Sequence, residues 1–357
     1  LEFRRVLFRS LQMDMNSTIT LNSGYKIPVL GLGTWQATDD DGSSAVEHAI
    51  KSGYRMIDTA SFYRNQSAVG KAIKKCIDEG VVKREDLWVT TKLWVTDWKP
   101  EDMERALQQN LKELQLEYLD LYLIHWPTFL NLTEEEDKKR HEGYCYDYVG
   151  FVPDDAKYRL GYNVENLKRT WAKMEEFVKR GLVHSIGVSN FSTKKLADLL
   201  SFCTIKPAMD QVELHPHLQQ WELLEYCKKN GIAVTAYYPL GGSGNVNSTT
   251  TVPLMKDPVL LKIAENHHKT SAQVMIRWAI QRGTVCIPKS SKPARIDANK
   301  DVFDFELTEE EMKEIRSLDR RHRYCGGDVF LASPLTWKDI WDGENIDRSE
   351  ERRVGKE

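Results

Sequence analysis

Residues 119–126 read LDLYLIHW, a nearly continuous apolar run that contains a histidine near its end. Such a run is typical of a parallel β-strand that is buried on both faces, because helices cover both sides of a parallel sheet. Similar runs occur before and after it, and segments with helical periodicity separate them. The eight runs cover residues 29–34, 55–59, 87–92, 119–126, 184–190, 208–214, 233–240 and 285–289.

Eight strands that alternate with helices, without a break in composition, favour one closed (β/α)8 barrel over a doubly wound sheet. The doubly wound dinucleotide-binding fold needs a G-x-G-x-x-G turn after its first strand. The first run offers Gly31 and Gly33 but has Gln36 at the third glycine position. We therefore predict an α/β protein with a single TIM barrel domain over residues 13–347, long loops at the C-terminal face, and a β-hairpin over residues 18–29 at the bottom.

Composition narrows the range of functions. The 357 residues include 50 basic and 53 acidic side chains, and the formal net charge is −3. This balance argues against binding to nucleic acid or to an anionic membrane surface. The six cysteines lie far apart, which indicates reduced thiols rather than a disulfide or zinc framework. We expect a cytoplasmic protein that acts on a small molecule.

Both ends of the chain look foreign to the fold. Residues 1–10 read LEFRRVLFRS and residues 348–357 read RSEERRVGKE, and both strings resemble translated sequencing adapters. We expect the native chain to begin at Met13 or Met15, with native C-terminal residues missing.

The connection after the fourth run, residues 128–162, is long, acidic and rich in tyrosine. Loops of this length in a compact domain are usually functional or disordered. Its central part, YCYDY at 144–148, either lines a pocket at the barrel mouth or forms a solvated surface flap.

Polar side chains stand at or just after the ends of the runs, where buried strands would ordinarily stay apolar. The carboxyl ends of all strands in a TIM barrel meet at one mouth, where barrel enzymes keep their active sites. We therefore interpret these positions as one site. They are Asp58, Lys92, His125, Ser189, Asn190, Gln211, Tyr237, Lys289, Ser290 and Ser291.

Tyr63 lies just beyond the second strand, before Asn65, which we expect to cap the next helix. Lowering the pKa of a tyrosine from about 10 to about 7 requires roughly 4 kcal/mol. An ammonium group at about 4 Å supplies that order of energy at an effective dielectric constant of about 20. We expect Lys92, aimed by Asp58, to lower the pKa of Tyr63 and make it a general acid near neutral pH.

An acid aimed at a carbonyl group, in a site without a metal, indicates carbonyl reduction, for which a cofactor must supply the hydride. His125 can donate a hydrogen bond that orients the carbonyl oxygen. Tyr237 can stack on a nicotinamide ring, whose carboxamide Ser189, Asn190 and Gln211 can bind. Residues 289–295 read KSSKPAR, and these cations and hydroxyls next to a helix start suit a phosphate group.

Six segments resemble motifs of the aldo-keto reductase family, and the resemblance runs in order from about residue 18 to about residue 319. It implies an NADPH-dependent reductase of aldehydes and ketones on a (β/α)8 barrel, in a family that is often monomeric. The segments are GTW (33–35), MIDTASFY (56–63), TKLW (91–94), LDLYLIHWP (119–127), GVSNF (187–191) and IPKS (287–290).

The resemblance also implies roles for individual residues. The implied catalytic residues are Asp58, Tyr63, Lys92 and His125. The implied apolar walls of the substrate pocket are Trp35, Trp94 and Trp126. The implied NADP(H) contacts are Thr34, Ser189, Asn190, Gln211, Tyr237, Leu240, Lys289, Ser290, Arg295 and Asn299, of which Lys289, Ser290 and Arg295 would hold the 2′-phosphate.

The chain departs from the family pattern near the adenine end of the cofactor. Ala298 stands where related enzymes often carry a glutamate, and Asp297 is one position away from it. Lys292 is an additional cation, which should favour NADPH over NADH. The longer connection at 128–162 means that substrate specificity does not follow from the resemblance.

We also consider two alternative functions and one candidate metal site. The protein could be a catalytically weak NADP(H)-binding regulatory or structural barrel, or a reductase of steroid or prostanoid ketones. Glu213, His215 and His217 have the residue types of a metal site. We expect no metal there, because Pro216 interrupts the strand and the family carries a similar stretch without one.

Overall fold

A computed structural model of the chain describes residues 13–141, 155–241, 253–331 and 335–344. The strands are β1 (Thr18–Thr20), β2 (Lys26–Pro28), β3 (Leu32–Gly33), β4 (Met56–Asp58), β5 (Trp88–Leu93), β6 (Leu119–Ile124), β7 (Phe129–Leu130), β8 (Arg159–Gly161), β9 (Val183–Ser189), β10 (Met209–Glu213), β11 (Ala233–Tyr237) and β12 (Val285–Cys286). The helices are α1 (Asp39–Lys51), α2 (Gln66–Asp78), α3 (Pro100–Leu114), α4 (Glu134–His141), α5 (Val164–Lys179), α6 (Thr193–Leu200), α7 (Trp221–Asn230), α8 (Pro258–Asn266), α9 (Ser271–Gln281), α10 (Pro293–Lys300), α11 (Glu309–Arg316) and α12 (Trp337–Trp341).

The parallel strands form a closed barrel. Eight strands pair in the order β3, β4, β5, β6, β9, β10, β11 and β12. Leu30 and Gly33 then form parallel bridges with Cys286 and Lys289, which join the first strand to the last. The predicted (β/α)8 barrel is confirmed. The junction between the first and the last strand requires a glycine, since a Cβ atom on Gly33 would lie 2.8 Å from the carbonyl oxygen of Ile287.

Side chains alternate between the two surfaces of the barrel wall, because successive residues of a strand point to opposite faces. The outward residues of the strands join the helices in the larger core, which includes Ile57, Val89, Trp171 and Phe177. The inward residues form a separate cluster in the lower half of the barrel, which includes Met56, Trp88, Leu121, Leu123, Met209, Val285 and Ile287.

The predicted hairpin is confirmed and closes the barrel bottom. β1 and β2 pair antiparallel from Thr18 opposite Pro28 to Thr20 opposite Lys26. The Asn22 side chain donates to the carbonyl oxygen of Pro207 at 2.8 Å, just before β10 begins. Leu21 and Ile27 pack into the inward cluster. The hairpin therefore forms an apolar plug at the bottom of the barrel and leaves the opposite mouth uncovered by it.

The sequence signals for helix ends account for several of the helices around the barrel. Asp257 caps α8, and its carboxylate accepts a hydrogen bond from the backbone N–H of Val259. Thr308 and Glu311 form the predicted capping box of α11. Within the described ranges, no helix is both long enough and apolar enough to cross a membrane.

The long connection after β6 is described at both ends. β7 and β8 pair antiparallel, and α4 lies between them. Residues 142–154 lie outside the described residues, and so do the predicted pocket segment at 144–148 and both expected foreign ends. The five described cysteines are free thiols, as predicted, and Cys145 falls outside.

Candidate active site

A cavity of about 500 Å³ opens at the carboxyl ends of the barrel strands. Eleven of the predicted site residues line it: Trp35, Tyr63, Trp94, His125, Trp126, Ser189, Asn190, Gln211, Tyr237, Leu240 and Lys289. Asp58 and Lys92 lie buried beneath its floor. Thr34, Ser290, Arg295 and Asn299 do not line it.

Strand alternation explains why these polar residues converge. Lys92 follows Trp88 and Thr90 on the inward face of β5, and the indole of Trp88 donates to the Thr90 hydroxyl. His125 follows Leu121 and Leu123 on the inward face of β6. Each inward row is therefore apolar at the bottom and ends in a polar group at the mouth.

Lys92 makes three hydrogen bonds at the floor of the cavity. Its Nζ atom lies 2.5 Å from the Asp58 carboxylate, 2.9 Å from the carbonyl oxygen of Thr59, and 3.3 Å from the hydroxyl oxygen of Tyr63. An ammonium group has three protons and no acceptor, so these partners use its full capacity. Because the Tyr63 oxygen accepts from Lys92, the hydroxyl proton of Tyr63 is left for another acceptor.

The expected effect of Lys92 on the pKa of Tyr63 is wrong for this structure. Burial raises the pKa of Tyr63 well above its ordinary value, and the carboxylate of Asp58 raises it further. Burial also lowers the pKa of Lys92, although Asp58 opposes that change. The prediction counted the ammonium field but not the loss of water around the phenol, which penalises the phenolate.

His125 is held as a neutral imidazole beside Tyr63. Burial lowers its pKa well below the ordinary value, and the charge of Lys92 lowers it further. The imidazole lies edge-on to Tyr63 and Trp94, at ring-centre distances of 5.8 Å and 5.3 Å. A neutral imidazole carries one N–H donor and one acceptor nitrogen. The buried Nδ1 atom of His125 has no hydrogen-bond partner among the described residues, so aromatic packing is what orients the ring.

Asn65 occupies the N-cap position of α2, but the expected cap hydrogen bond is absent. Its side-chain amide instead donates to the carbonyl oxygens of Thr34 and Ala37, at 2.9 Å and 3.1 Å. Thr34 is buried, and its hydroxyl donates to the carbonyl oxygen of Asp58. Thr34 and Asn65 thus fasten the loop after β3 to the strand that carries Asp58.

A second set of hydrogen-bonded polar side chains lies on the opposite wall of the cavity. The Asn190 side chain donates to the carbonyl oxygen of His125 at 3.0 Å and accepts from the Tyr237 hydroxyl at 2.7 Å. Gln211 donates to Asp58 at 2.7 Å. Ser189 donates to the backbone of Gln211. The residues predicted to surround a nicotinamide are therefore connected to the Asp58–Lys92 pair.

Three exposed cations extend from the rim of the cavity to the start of α10. Lys289 lines the cavity, while Lys292 and Arg295 flank Pro293 at the first turn. None of the three forms an ion pair within the described part of the chain. Asp297 pairs instead with His48 at 3.0 Å. The cluster combines unpaired positive charge with a helix N-terminus, a combination that favours an anion.

The other half of the cavity is aromatic. Phe62 stacks between Trp35 and Trp94, at ring-centre distances of 5.2 Å and 4.0 Å. The ring centre of Phe330 lies 5.1 Å from that of Trp126 and 5.7 Å from that of Trp94. The three predicted tryptophans thus form one wall with two phenylalanines that sequence reasoning missed.

The C-terminal segment, residues 323–331 and 335–344, covers the cavity and was not predicted to do so. It contributes Tyr324, Cys325, Gly326, Gly327, Val329 and Phe330 to the lining. The indole of Trp341 donates to the carbonyl oxygen of Gly326 at 2.7 Å. The buried ammonium of Lys195 donates to Asp342 at 2.5 Å and holds the end of α12. In the sequence, the aromatic residues of this segment were the only sign that it covers the cavity.

Glu213 anchors the start of that segment. Its two carboxylate oxygens accept hydrogen bonds from the backbone N–H groups of Tyr324 and Cys325, each at 2.7 Å. His215 also bonds Glu213, whereas His217 lies against Asp257. No cluster of three metal-binding side chains occurs among the described residues. The Glu213 carboxylate is thus occupied by two backbone N–H groups and His215, and His217 faces Asp257 at 3.6 Å.

The fold and the position of the cavity define a (β/α)8 barrel with a ligand site at the carboxyl ends of its strands. The model of the Aldo/keto reductase family matches residues 29–320. Aldo-keto reductase family 1 member A1 of Mus musculus is 42% identical over 310 residues, which is 86% of this chain and 91% of the mouse protein. The Homo sapiens protein of the same name is 42% identical over 311 residues, with the same coverage of 86% and 91%.

A solved structure is similar as well. The crystal structure of a Bombyx mori aldo-keto reductase in complex with NADP has a TM-score of 0.74 and 35% sequence identity. The match covers 89% of this chain and 95% of the silkworm chain. The chain belongs to the aldo-keto reductase family, whose members are NADP-dependent oxidoreductases.

Proposed function

We propose that the protein reduces aldehydes and ketones to alcohols, with NADPH as hydride donor and Tyr63 as the acid. The hydrogen-bond arrangement around Lys92 carries this proposal. Lys92 donates to the hydroxyl oxygen of Tyr63, so the hydroxyl proton can be donated to a substrate. Tyr63, His125 and the tryptophan wall all line the same cavity, which would place a carbonyl group beside the acid.

The high pKa of Tyr63 is compatible with this role. When bound, NADPH supplies a hydride to the carbonyl carbon, and negative charge then develops on the carbonyl oxygen. An alkoxide is a far stronger base than a phenolate, so a phenol of ordinary or raised pKa still donates its proton to it. Lys92 then stabilises the phenolate through the hydrogen bond it already makes. Asp58 keeps Lys92 aimed at Tyr63.

His125 acts in this proposal as a neutral hydrogen-bond donor. Its lowered pKa keeps the imidazole uncharged near neutral pH. A neutral donor can orient the carbonyl oxygen without competing with Tyr63 to deliver the proton. The aromatic packing of His125 against Tyr63 and Trp94 fixes the direction of that hydrogen bond.

The described residues fit NADPH along the rim of the barrel. Tyr237 presents a half-buried ring for the nicotinamide, and Asn190 and Gln211 present amide groups nearby. The cations Lys289, Lys292 and Arg295 suit the 2′-phosphate. Asn299 is buried in α10, and Ala298 leaves the neighbouring position without a carboxylate. We infer that binding energy at the adenine end comes mainly from the phosphate contacts.

We also propose that the protein works in the cytoplasm as a monomer. The free thiols of the described cysteines support a reducing compartment. Size-exclusion chromatography with light scattering tests the oligomeric state, and a stable dimer would contradict it.

Turnover of an aromatic aldehyde separates the proposed enzyme from a cofactor-binding regulatory or structural barrel. Purified protein is mixed with NADPH and benzaldehyde, and NADPH absorbance is followed against a Lys92→Met variant. We expect consumption of NADPH and formation of benzyl alcohol by the original chain only. A steroid ketone in the same panel tests the alternative substrate class. NADPH binding without turnover of any carbonyl compound would contradict the proposal.

A further inference from the structure

The long connection after β6 is fastened to the barrel where it begins. The backbone N–H of Leu130 in β7 donates to the carbonyl oxygen of Val95 at 3.0 Å. The indole of Trp98 donates to the carbonyl oxygen of Leu130 at 3.1 Å. Both partners belong to the loop after β5. The pairing of β7 with β8 then gives Arg159 a fixed position at the mouth.

Arg159 reaches from β8 to the C-terminal segment. Its Nη1 atom donates to the carbonyl oxygen of Val329 at 3.1 Å and also to the carbonyl oxygen of Leu331. These two carbonyl groups lie on either side of Phe330. One guanidinium nitrogen thus holds the backbone before and after this phenylalanine.

Phe330 is the part of the C-terminal segment that completes the aromatic wall. Only 2% of its surface is exposed, whereas 59% of the neighbouring Val329 is exposed. Its ring packs against Trp94 and Trp126, and Trp94 in turn packs against His125. The position of Phe330 therefore sets the space available to the body of a substrate whose carbonyl group is near His125.

A second contact joins β8 to the same segment. Gly161 has a φ of +65°, and a Cβ atom there would lie 3.1 Å from the Leu335 side chain. The hairpin and the C-terminal segment thus approach each other at both Arg159 and Gly161. The Arg159 contact acts on the backbone next to Val329 and Phe330, which line the cavity.

We propose that Arg159 is a positioning residue that fixes Phe330 in the substrate wall and so sets the preference for bulky aromatic carbonyl compounds. This inference rests on the proposed reductase function. The described part of the long connection then acts as a support for the pocket wall. A fixed wall favours a ring that packs on Phe330, because the cost of ordering the wall has been met before binding. The fixed wall does not strengthen the binding of a small aldehyde that does not reach Phe330.

The test compares Arg159→Met, Arg159→Lys and Lys157→Met. Methionine keeps an apolar stem without donors, and lysine restores a cation that cannot reproduce the planar geometry. Lys157 is an exposed cation two residues away whose ion-pair partner is Asp155. For Arg159→Met we expect KM for a biphenyl aldehyde to rise by about tenfold. KM for propionaldehyde, kcat with propionaldehyde and the Kd of NADPH should stay within about twofold.

The other two variants show whether the rise in KM for the biphenyl aldehyde is due to the lost Arg159 contact. Arg159→Lys should recover part of the preference for the biphenyl aldehyde, and Lys157→Met should behave as the original chain. A uniform loss of kcat for all aldehydes in Arg159→Met would overturn the inference, since it would indicate a general structural effect. An unchanged ratio of KM values between the two aldehydes would overturn it as well.

Limited proteolysis tests the contact without any substrate. Chymotrypsin should cleave after Phe330 faster in Arg159→Met than in Lys157→Met or the original chain, as followed by mass spectrometry. Equal cleavage rates would refute a fixed Phe330. If the original chain reduced no carbonyl compound, the proposed function would fail, but the cleavage rates would still decide whether Arg159 holds Phe330.

Discussion

The ammonium group of Lys92 lies 3.3 Å from the hydroxyl oxygen of Tyr63 and donates a hydrogen bond to it. This contact directs the Tyr63 proton away from Lys92, and it would stabilise the phenolate that remains after proton donation. Burial raises the pKa of Tyr63, so the phenol stays protonated at neutral pH.

Replacing Tyr63 by phenylalanine removes the acid and keeps the ring. Because general acid catalysis typically contributes a factor of about 10² to 10⁴, we expect kcat for benzaldehyde to fall by that amount. The Kd of NADPH, measured by quenching of protein fluorescence, should change by less than about threefold. Tyr118→Phe, at the opposite end of the barrel, is the matched control. Near-native turnover of Tyr63→Phe would rule out this acid.

The pH dependence of reduction follows from two shifted groups. Tyr63 with a raised pKa stays protonated through neutral and mildly alkaline pH, and His125 with a lowered pKa stays neutral into the acid range. Both are then in their active forms from about pH 6.5 to about pH 10. Burial also lowers the pKa of Lys92, whose ammonium group would stabilise the phenolate, so we expect kcat at saturating NADPH and aldehyde to be flat around neutral pH and to decline only at alkaline pH. A decline in kcat with an apparent pKa near 7 would instead support the acidic phenol expected from sequence.

Removing Lys289 and Arg295 together tests the phosphate site. Charge-assisted hydrogen bonds contribute about 1.5 kcal/mol or more each, so the double alanine variant should bind NADPH about a hundredfold more weakly. NADH binding should change by less than about threefold, because NADH lacks the 2′-phosphate. Lys300→Ala, a cation at the other end of α10, is the control. Titration calorimetry measures both cofactors, and equal losses for NADPH and NADH would count against the assignment.

Glu213 should matter for stability because it accepts hydrogen bonds from two backbone N–H groups of the C-terminal segment. Glutamine offers one acceptor oxygen, so Glu213→Gln leaves a buried donor unsatisfied. We expect the free energy of unfolding in urea to fall by about 1 to 3 kcal/mol. Glu310→Gln, on the exposed side of α11, should change it by less than about 0.5 kcal/mol. Equal stabilities of the two variants would show that this anchor is dispensable.

Chelation tests the prediction that Glu213, His215 and His217 hold no metal. Dialysis against EDTA should leave kcat and Tm unchanged, since the hydrogen bonds of Glu213 are made within the protein. Elemental analysis of the undialysed protein is the companion measurement. A stoichiometric metal whose removal abolished activity would reverse the assignment.

Local sequence determined the barrel and the polar ends of its strands. Apolar runs such as residues 119–124 specify buried strands, and strand alternation places Asp58, Lys92 and His125 on inward faces at one end. The hairpin and the caps at Asp257 and Thr308 could also be predicted from the sequence, because each depends on residues a few positions apart. Family motifs identified the reductase class for the same reason, since they consist of contiguous residues.

Tertiary structure alone decided the pKa of Tyr63, the role of Asn65 and the cover of the cavity. The pKa depends on how much water packing removes, and the Asn65 amide found partners in a loop about thirty residues away. The C-terminal segment lies beyond the family match that ends at residue 320, and distant contacts of Glu213, Arg159 and Lys195 hold it. Sequence patterns report local geometry, whereas desolvation and long-range hydrogen bonds exist only once the chain has folded.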